Sequence, residues 1–192
     1  MTRRLTDVAH DVIAGHVHAG DIVIDATMGN GHDTLFLAQL VGETGHVYAL
    51  DLQQRAIDQT RARLDMHGAA EQVTLIKGDH AEMGRLLPQG MAESVAAIVF
   101  NLGYLPGGVK SVTTTAESTL YALDASRELI KPGGIISLLV YVGHPGGLEE
   151  DVAIREWLGS LPEETQWVHH NPDCAVHSPR LYTIIKGAES LS

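Results

Sequence analysis

Residues 21–33, Asp21-Ile-Val-Ile-Asp25-Ala-Thr-Met-Gly29-Asn30-Gly31-His32-Asp33, constrain this chain more than any other stretch. An apolar strand runs there into a turn with two glycines and then into helical sequence, the order that opens a nucleotide-binding α/β unit. Glycine tolerates positive φ and lets another molecule approach the backbone. A nucleotide-like cofactor would sit at this turn, over Gly29, Asn30, Gly31 and His32.

The next two strands extend the pattern. Gly45-His-Val-Tyr-Ala-Leu-Asp51-Leu-Gln53 places an acid about twenty residues beyond the turn, where a ribose-binding carboxylate is expected. Asp51 there could accept hydrogen bonds from both ribose hydroxyls, with Gln53 beside it. Val73-Thr-Leu-Ile-Lys-Gly-Asp79-His80 ends in another acid, placed for an adenine amino group. Three strands ending in Asp25, Asp51 and Asp79 suit an adenosine lying across three loops.

Charge selects among adenosine cofactors. A dinucleotide needs its pyrophosphate held by helix N-terminal amides, usually with a third glycine for close packing. Here the pattern is Gly29-x-Gly31-x-x-Thr34, and Asp25 and Asp33 flank the turn. Two carboxylates repel a pyrophosphate but attract the ammonium and sulfonium of S-adenosylmethionine. The competing reading makes Asp25 and Asp33 caps of the turn and of a helix starting near Thr34.

The 192 residues, 44% hydrophobic, can bury one sizeable core, so a single domain over 1–192 with an N-terminal helix is expected. No apolar run is long enough to span a bilayer, and Met1-Thr-Arg-Arg-Leu5 lacks the apolar segment of a signal peptide. The lone Cys174 cannot form an internal disulfide, which fits a reducing cytoplasm. A net charge of −11 argues against gripping an extended duplex. A small basic surface from Arg3, Arg4, Lys110, Arg180 and Lys186 would require that they cluster.

Hydrophobic periodicity predicts a doubly wound α/β fold with a mainly parallel sheet. A helix over 5–18 carries Leu5, Val8, Ala9, Val12 and Ile13 on one stripe and is expected to pack near the cofactor mouth or a partner. Helices are expected at 34–41, 53–67, 81–87, 116–130 and 147–159. Strand four covers 95–101 and strand five 135–142, after a stop at Lys131-Pro132-Gly133-Gly134. The last two strands, near Trp167 and over 181–186, have no helical pattern between them and are expected to form an antiparallel pair.

In open α/β sheets ligands bind beyond the carboxyl ends of the strands, so the chemistry is expected after strand four. The chain there reads Asn101-Leu-Gly103-Tyr104-Leu-Pro106-Gly107-Gly108-Val-Lys110. This looks like a relaxed form of the Asn-Pro-Pro-Tyr loop of nitrogen methyltransferases, with Leu102 and Gly103 in place of the two prolines. In that loop the Asn accepts a hydrogen bond from the target amine and the aromatic ring packs on the substrate. A glycine-rich turn with a capping Asn is the alternative.

Taken together, the 25–33 turn and the 101–108 loop resemble the small family first labelled putative rRNA methylases and later assigned as tRNA 5-aminomethyl-2-thiouridine methyltransferases. The resemblance extends to the N-terminal helix, Gly78-Asp79-His80 and Tyr141-Val-Gly-His144-Pro-Gly-Gly147. It implies a class I methyltransferase fold, S-adenosylmethionine as cofactor, and methylation of the side-chain amine of the wobble uridine in a tRNA anticodon loop. Homodimers are implied as well.

Such a reaction aligns a neutral amine with an already activated methyl carbon. An alkylamine is largely protonated at neutral pH, so the site must disfavour the ammonium or accept its proton. Asp33, His32, His80 and His144 are candidates for that task, Asn101 would orient the amine, and Tyr104 would stack on the base. A wobble base lies in a single-stranded loop and can be splayed out without melting a duplex. No metal is expected: His16-x-His18 and His169-His170 lack zinc-helix spacing and one cysteine makes no thiolate cluster. The rival readings are a small-molecule amine methyltransferase, a nicotinamide-dependent oxidoreductase, and a non-catalytic S-adenosylmethionine-binding module.

Overall fold

The computed structural model describes residues 3–105, 107 and 113–187. Pro106, Gly108, Val109 and Lys110 of the loop after strand four lie outside the described residues.

The elements follow in the order α1 (Leu5–Ala14), β1 (Ile22–Asp25), α2 (His32–Val41), β2 (His46–Asp51), α3 (Gln54–His67) and β3 (Val73–Lys77). A 3-10 turn (His80–Glu82) leads into the one-turn α4 (Met83–Leu86). Then come β4 (Val95–Leu102), α5 (Ala116–Leu129), β5 (Ile130–Val140), α6 (Gly147–Gly159), β6 (Gln166–His169) and β7 (Arg180–Ile185). The strands form one sheet in the order β3-β2-β1-β4-β5-β7-β6. Strands β1 to β5 pair in parallel, and β7 runs antiparallel to both β5 and β6. The doubly wound expectation holds, including the antiparallel final pair.

Apolar residues fill both faces because helices cover both. Along β4, Ile98, Phe100 and Leu102 belong to the core under α5 and α6, while Ala97 and Val99 belong to the core under α1 and α2. That alternation is the two-residue period of a strand. Inward residues of α3 are Ala56, Ile57, Thr60 and Leu64, as the sequence pattern predicts.

Several element boundaries differ from expectation: the helix expected at 81–87 is divided into the 3-10 turn and α4, β3 stops at Lys77, two residues before Asp79, and α1, α2 and β5 shift for identifiable reasons. Helix α1 ends at Ala14, short of 18, because Gly15 follows and its N–H turns back to Val12 O. Helix α2 starts two residues early, at His32, with Gly31 in the left-handed region as its N-cap and no side-chain cap. Strand β5 begins at Ile130, directly after α5. The Lys131-Pro132-Gly133-Gly134 stretch is absorbed as a register shift: Ile130 pairs with Val95, while Ile135 pairs with Ala97. A bulge tolerates proline and glycine where a regular ladder would not.

Strand order reverses between β1 and β4, since the chain winds outward to β3 and returns to the other side of β1. The loops after β1 and β4 therefore diverge and leave a crevice at their carboxyl ends. Helix α1 packs against β5 and β7, which brings its N-terminal half to the same end.

Candidate active site

The crevice is a cavity of about 770 Å³. Its floor and walls come from the turn after β1 (Thr27, Met28, Gly29, Asn30), the end of β2 (Asp51, Gln53), the end of β3 (Asp79, His80) and the end of β4 (Asn101, Gly103, Tyr104). His32 and Asp33 from α2, His10 from α1 and Arg4 at the N-cap of α1 also line it. The predicted site residues are thereby gathered into one place except Asp25, Gly31 and His144.

Asp25 and Gly31 build the turn from behind. Asp25 is fully buried; its Oδ2 accepts from Thr34 Oγ1 at 2.6 Å and its Oδ1 from the Thr27 N–H at 3.3 Å. Burial, and then the negative charge of Asp33, raise its pKa to about 7. Asp25 is absent from the cavity wall and anchors the start of α2, so direct contact with a cofactor cation is not its place. Gly31 has φ +76°, and a Cβ there would lie 2.7 Å from Thr60 Oγ1 on α3. Its glycine serves close packing of the turn against α3.

Asp51 reaches across from β2. Its Oδ2 accepts from the Gly29 N–H at 3.1 Å and its Oδ1 from the Gln53 N–H at 2.9 Å. Burial still raises its pKa above the ordinary carboxylate value. The carboxylate is held between two backbone amides and keeps lone pairs for a ligand. At the end of β3, Asp79 Oδ1 accepts from the Ala81 N–H at 2.9 Å and caps the 3-10 turn. The neighbouring His80 is buried, and burial lowers its pKa so that the ring is neutral. Its Nε2 is enclosed with no hydrogen-bond partner among the described residues, as is Asn30 Oδ1. Two such orphaned atoms in one cavity wall are unused valences for a polar ligand.

The loop after β4 carries the sharpest geometry. The Asn101 backbone N–H donates to Thr27 Oγ1 at 2.7 Å, tying β4 to the β1 turn. Its side-chain Nδ2 donates to Asp33 Oδ2 at 2.6 Å. Asp33 Oδ1 accepts from His10 Nε2 at 2.7 Å. Burial pushes the Asp33 pKa up, but the hydrogen bonds from His10 and Asn101 outweigh it and the net pKa is lowered, so Asp33 is ionised. Among the described residues Asn101 Oδ1 accepts no hydrogen bond. Tyr104 is 46% exposed and Tyr141, at the end of β5, is 38% exposed; both rings border the cavity.

His32 pairs with Arg63, its Nε2 3.1 Å from Arg63 Nη2. His144 sits behind Tyr104, edge-on at 6.3 Å between ring centroids, and is outside the cavity wall. The predicted basic residues are dispersed and paired: Arg3 with Asp11, Arg4 with Asp7, Arg180 with Asp151 and Lys186 with Glu93. Lys110 lies outside the described residues. Among the described residues no cluster of His, Cys, Asp or Glu could hold a metal ion, and no helix is long and apolar enough to cross a membrane.

Sequence reading missed Thr27, His10 and Tyr141. The carboxyl-end rule that found Asn101 applies equally to Tyr141 and would have found it. Nothing in the sequence marks His10, which sits between the apolar positions of α1.

The chain matches the family model described as Putative rRNA methylase over residues 47–186. It is 44% identical over 174 residues to an Arabidopsis thaliana protein named tRNA (mnm(5)s(2)U34)-methyltransferase, chloroplastic, covering 86% of this chain. This chain spans 62% of that relative's length. Among solved structures, a putative rRNA-methylase from Clostridium thermocellum is 38% identical with a TM-score of 0.89, covering 97% of this chain and 99% of the other. A putative methyltransferase from Streptococcus mutans, solved in complex with SAH, is 32% identical with a TM-score of 0.84 and the same coverage of both chains.

Proposed function

The chain belongs to the Putative rRNA methylase family, and from that premise we propose that it is an S-adenosylmethionine-dependent N-methyltransferase acting on 5-aminomethyl-2-thiouridine at the tRNA wobble position. The observation that carries the reading is the Asn101 side chain, held at the β4 end with its amide nitrogen on Asp33 and its Oδ1 accepting no hydrogen bond among the described residues. The Arabidopsis relative's name supports the substrate, and the relative solved with SAH supports the cofactor.

The cavity fits that cofactor. Asp51, fixed by the Gly29 and Gln53 amides, would take the ribose hydroxyls. The enclosed, partnerless Nε2 of neutral His80 and the carboxylate of Asp79 would take the adenine edge. Gly29, at φ +52°, keeps the turn open for close approach of a ligand. When bound, S-adenosylmethionine supplies a methyl group already activated for in-line displacement by an amine. Dinucleotide chemistry fits less well, because Asp33 lies ionised beside the turn where a pyrophosphate would rest.

The residues of this chain would then do two things. Asn101 Oδ1 accepts an N–H of the substrate amine and leaves the nitrogen lone pair for the methyl carbon. The exposed rings of Tyr104 and Tyr141 give a splayed base surfaces to stack on. The amine reacts as the neutral nucleophile: its N–C bond forms as the cofactor's C–S bond breaks, and one proton is released to solvent for each methyl transferred. A base that is already unstacked in a loop requires few phosphate contacts, consistent with the net charge of −11. That same charge is the feature favouring a small-molecule amine as the alternative substrate. Cytoplasmic location, which rests on the lone Cys174, and a homodimer, which rests on the family resemblance, belong to this proposal.

The test is to incubate the protein with S-adenosylmethionine and tRNA bearing unmethylated 5-aminomethyl-2-thiouridine, then digest and weigh the nucleosides by mass spectrometry. One added methyl on that nucleoside establishes the reaction and the substrate. No change, in a preparation that binds the cofactor by calorimetry, removes this substrate and moves the search to small amines.

A further inference from the structure

His10 reaches the centre of this site from α1, an element with no part in the strand-end motifs. Its ring lies flat on Phe36 of α2, with 3.8 Å between centroids and 5° between planes, so the direction of its Nε2 is fixed. That nitrogen donates to Asp33 Oδ1 at 2.7 Å, while Asp33 Oδ2 accepts from Asn101 Nδ2 at 2.6 Å. Both oxygens of Asp33 are thus engaged, one on each side.

An ionised carboxylate only accepts hydrogen bonds. As long as Asp33 is ionised, Asn101 can present only its NH₂ to it, and Oδ1 is left for the substrate. A protonated Asp33 could donate instead, and the amide would be free to turn over. We propose that His10 is a positioning residue for methyl transfer: through Asp33 it dictates which end of the Asn101 amide meets the substrate amine. This rests on the reading that Asn101 receives that amine.

The groups that act on Asp33 come from several elements. His10 and Asn101 donate to it, His32 from its own helix favours its charge, and Asp25 from β1 and Tyr141 just after β5 feel its charge. Of these, His10 and Asn101 supply the direct hydrogen bonds that hold Asp33 ionised against burial.

Two variants separate this role from others. His10→Gln keeps an N–H donor at about the reach of Nε2, and His10→Phe keeps the stack on Phe36 without a donor. The first readout is the side-chain amide resonance of ¹⁵N-labelled Asn101 followed through acid pH in protein without cofactor, which reports the charge on Asp33. In His10→Phe its titration should move to higher pH than in the unmodified protein, and in His10→Gln it should stay close. The second readout is methyl transfer to tRNA. His10→Phe should lower kcat by about tenfold to a hundredfold, with S-adenosylmethionine affinity within about twofold and His10→Gln restoring most of the rate.

Unchanged titration and unchanged kcat in His10→Phe would overturn the proposal. So would a His10→Gln as impaired as His10→Phe, because a titrating imidazole would then be required. Should His10→Phe fail to fold, Asp33→Asn removes the same charge, and an unaltered kcat there overturns the proposal equally. If the unmodified protein does not methylate the tRNA while the Asn101 resonance responds as expected, the substrate reading fails and the coupling of His10 to Asn101 stands.

Discussion

Asn101 Nδ2 donates to Asp33 Oδ2 at 2.6 Å across 68 positions of sequence, joining the end of β4 to the first turn of α2. The contact spans the point where strand order reverses, so it exists only when β1 and β4 are paired. If the amide orients the substrate amine, Asn101→Ala should lower turnover by roughly a hundredfold while S-adenosylmethionine affinity changes by less than about threefold. Equal losses of turnover and affinity, measured by single-turnover kinetics and calorimetry, would argue for a folding defect instead.

Asp51 predicts the opposite split. It holds the Gly29 and Gln53 amides and offers its remaining lone pairs to the cavity. Hydrogen bonds to a charged group contribute about 1.5–3 kcal/mol each, so Asp51→Ala should weaken cofactor binding by roughly tenfold to a hundredfold or more. Unchanged affinity in calorimetry would remove Asp51 from the ribose site.

Gly31→Ala should destabilise the fold before it affects chemistry. The new methyl meets Thr60 Oγ1 at 2.7 Å, and the backbone sits at φ +76°. A non-glycine residue in that region costs about 1–3 kcal/mol, visible as a lower Tm. Adding Thr60→Ala should relieve the clashes with Oγ1 and Cγ2 but leave the 2.9 Å approach to the Thr60 Cα and the cost of the positive φ, so recovery will be incomplete.

Asp25 predicts a pH dependence of stability. Its pKa rises from 3.8 in the unfolded chain to about 7 in the folded protein, because the site is buried and Asp33 is close. A raised folded pKa means that the folded state holds the proton longer. The contribution is complete below about pH 4 and is lost as pH rises through about 7. Asp25→Asn keeps an acceptor for Thr34 and has no charge to bury. Denaturant unfolding at several pH values should show the unmodified protein losing stability relative to Asp25→Asn over that window. Parallel curves would contradict the assignment.

Much of the fold can be read in the sequence because strand and helix periodicity are local. The 95–101 apolar run, the glycine turn at 29–31 and the inward face of α3 follow from side-chain spacing alone. The boundaries that differ do so for reasons outside any local window. Strand β5 starts at Ile130 because β4 offers it a partner in Val95, and a bulge then absorbs the glycines. Helix α2 starts at His32 because Gly31 can enter the left-handed region and press against Thr60.

The parallel α/β class, the acids at or just beyond the ends of three strands and the Asn101 loop are legible in local sequence, since each depends on residues within one strand and its following turn. Which of those acids face the cavity depends on how the elements pack. Asp25, Asp51 and Asp79 occupy like places in sequence, yet Asp25 is turned under the turn toward Thr34 while Asp51 and Asp79 line the opening. Packing also decides that His10, read from sequence only as part of a packing helix, donates to Asp33. The physical reason is that hydrogen bonds and burial depend on which elements the sheet order brings together, and the order β3-β2-β1-β4-β5-β7-β6 is set by long-range strand pairing that no short stretch encodes.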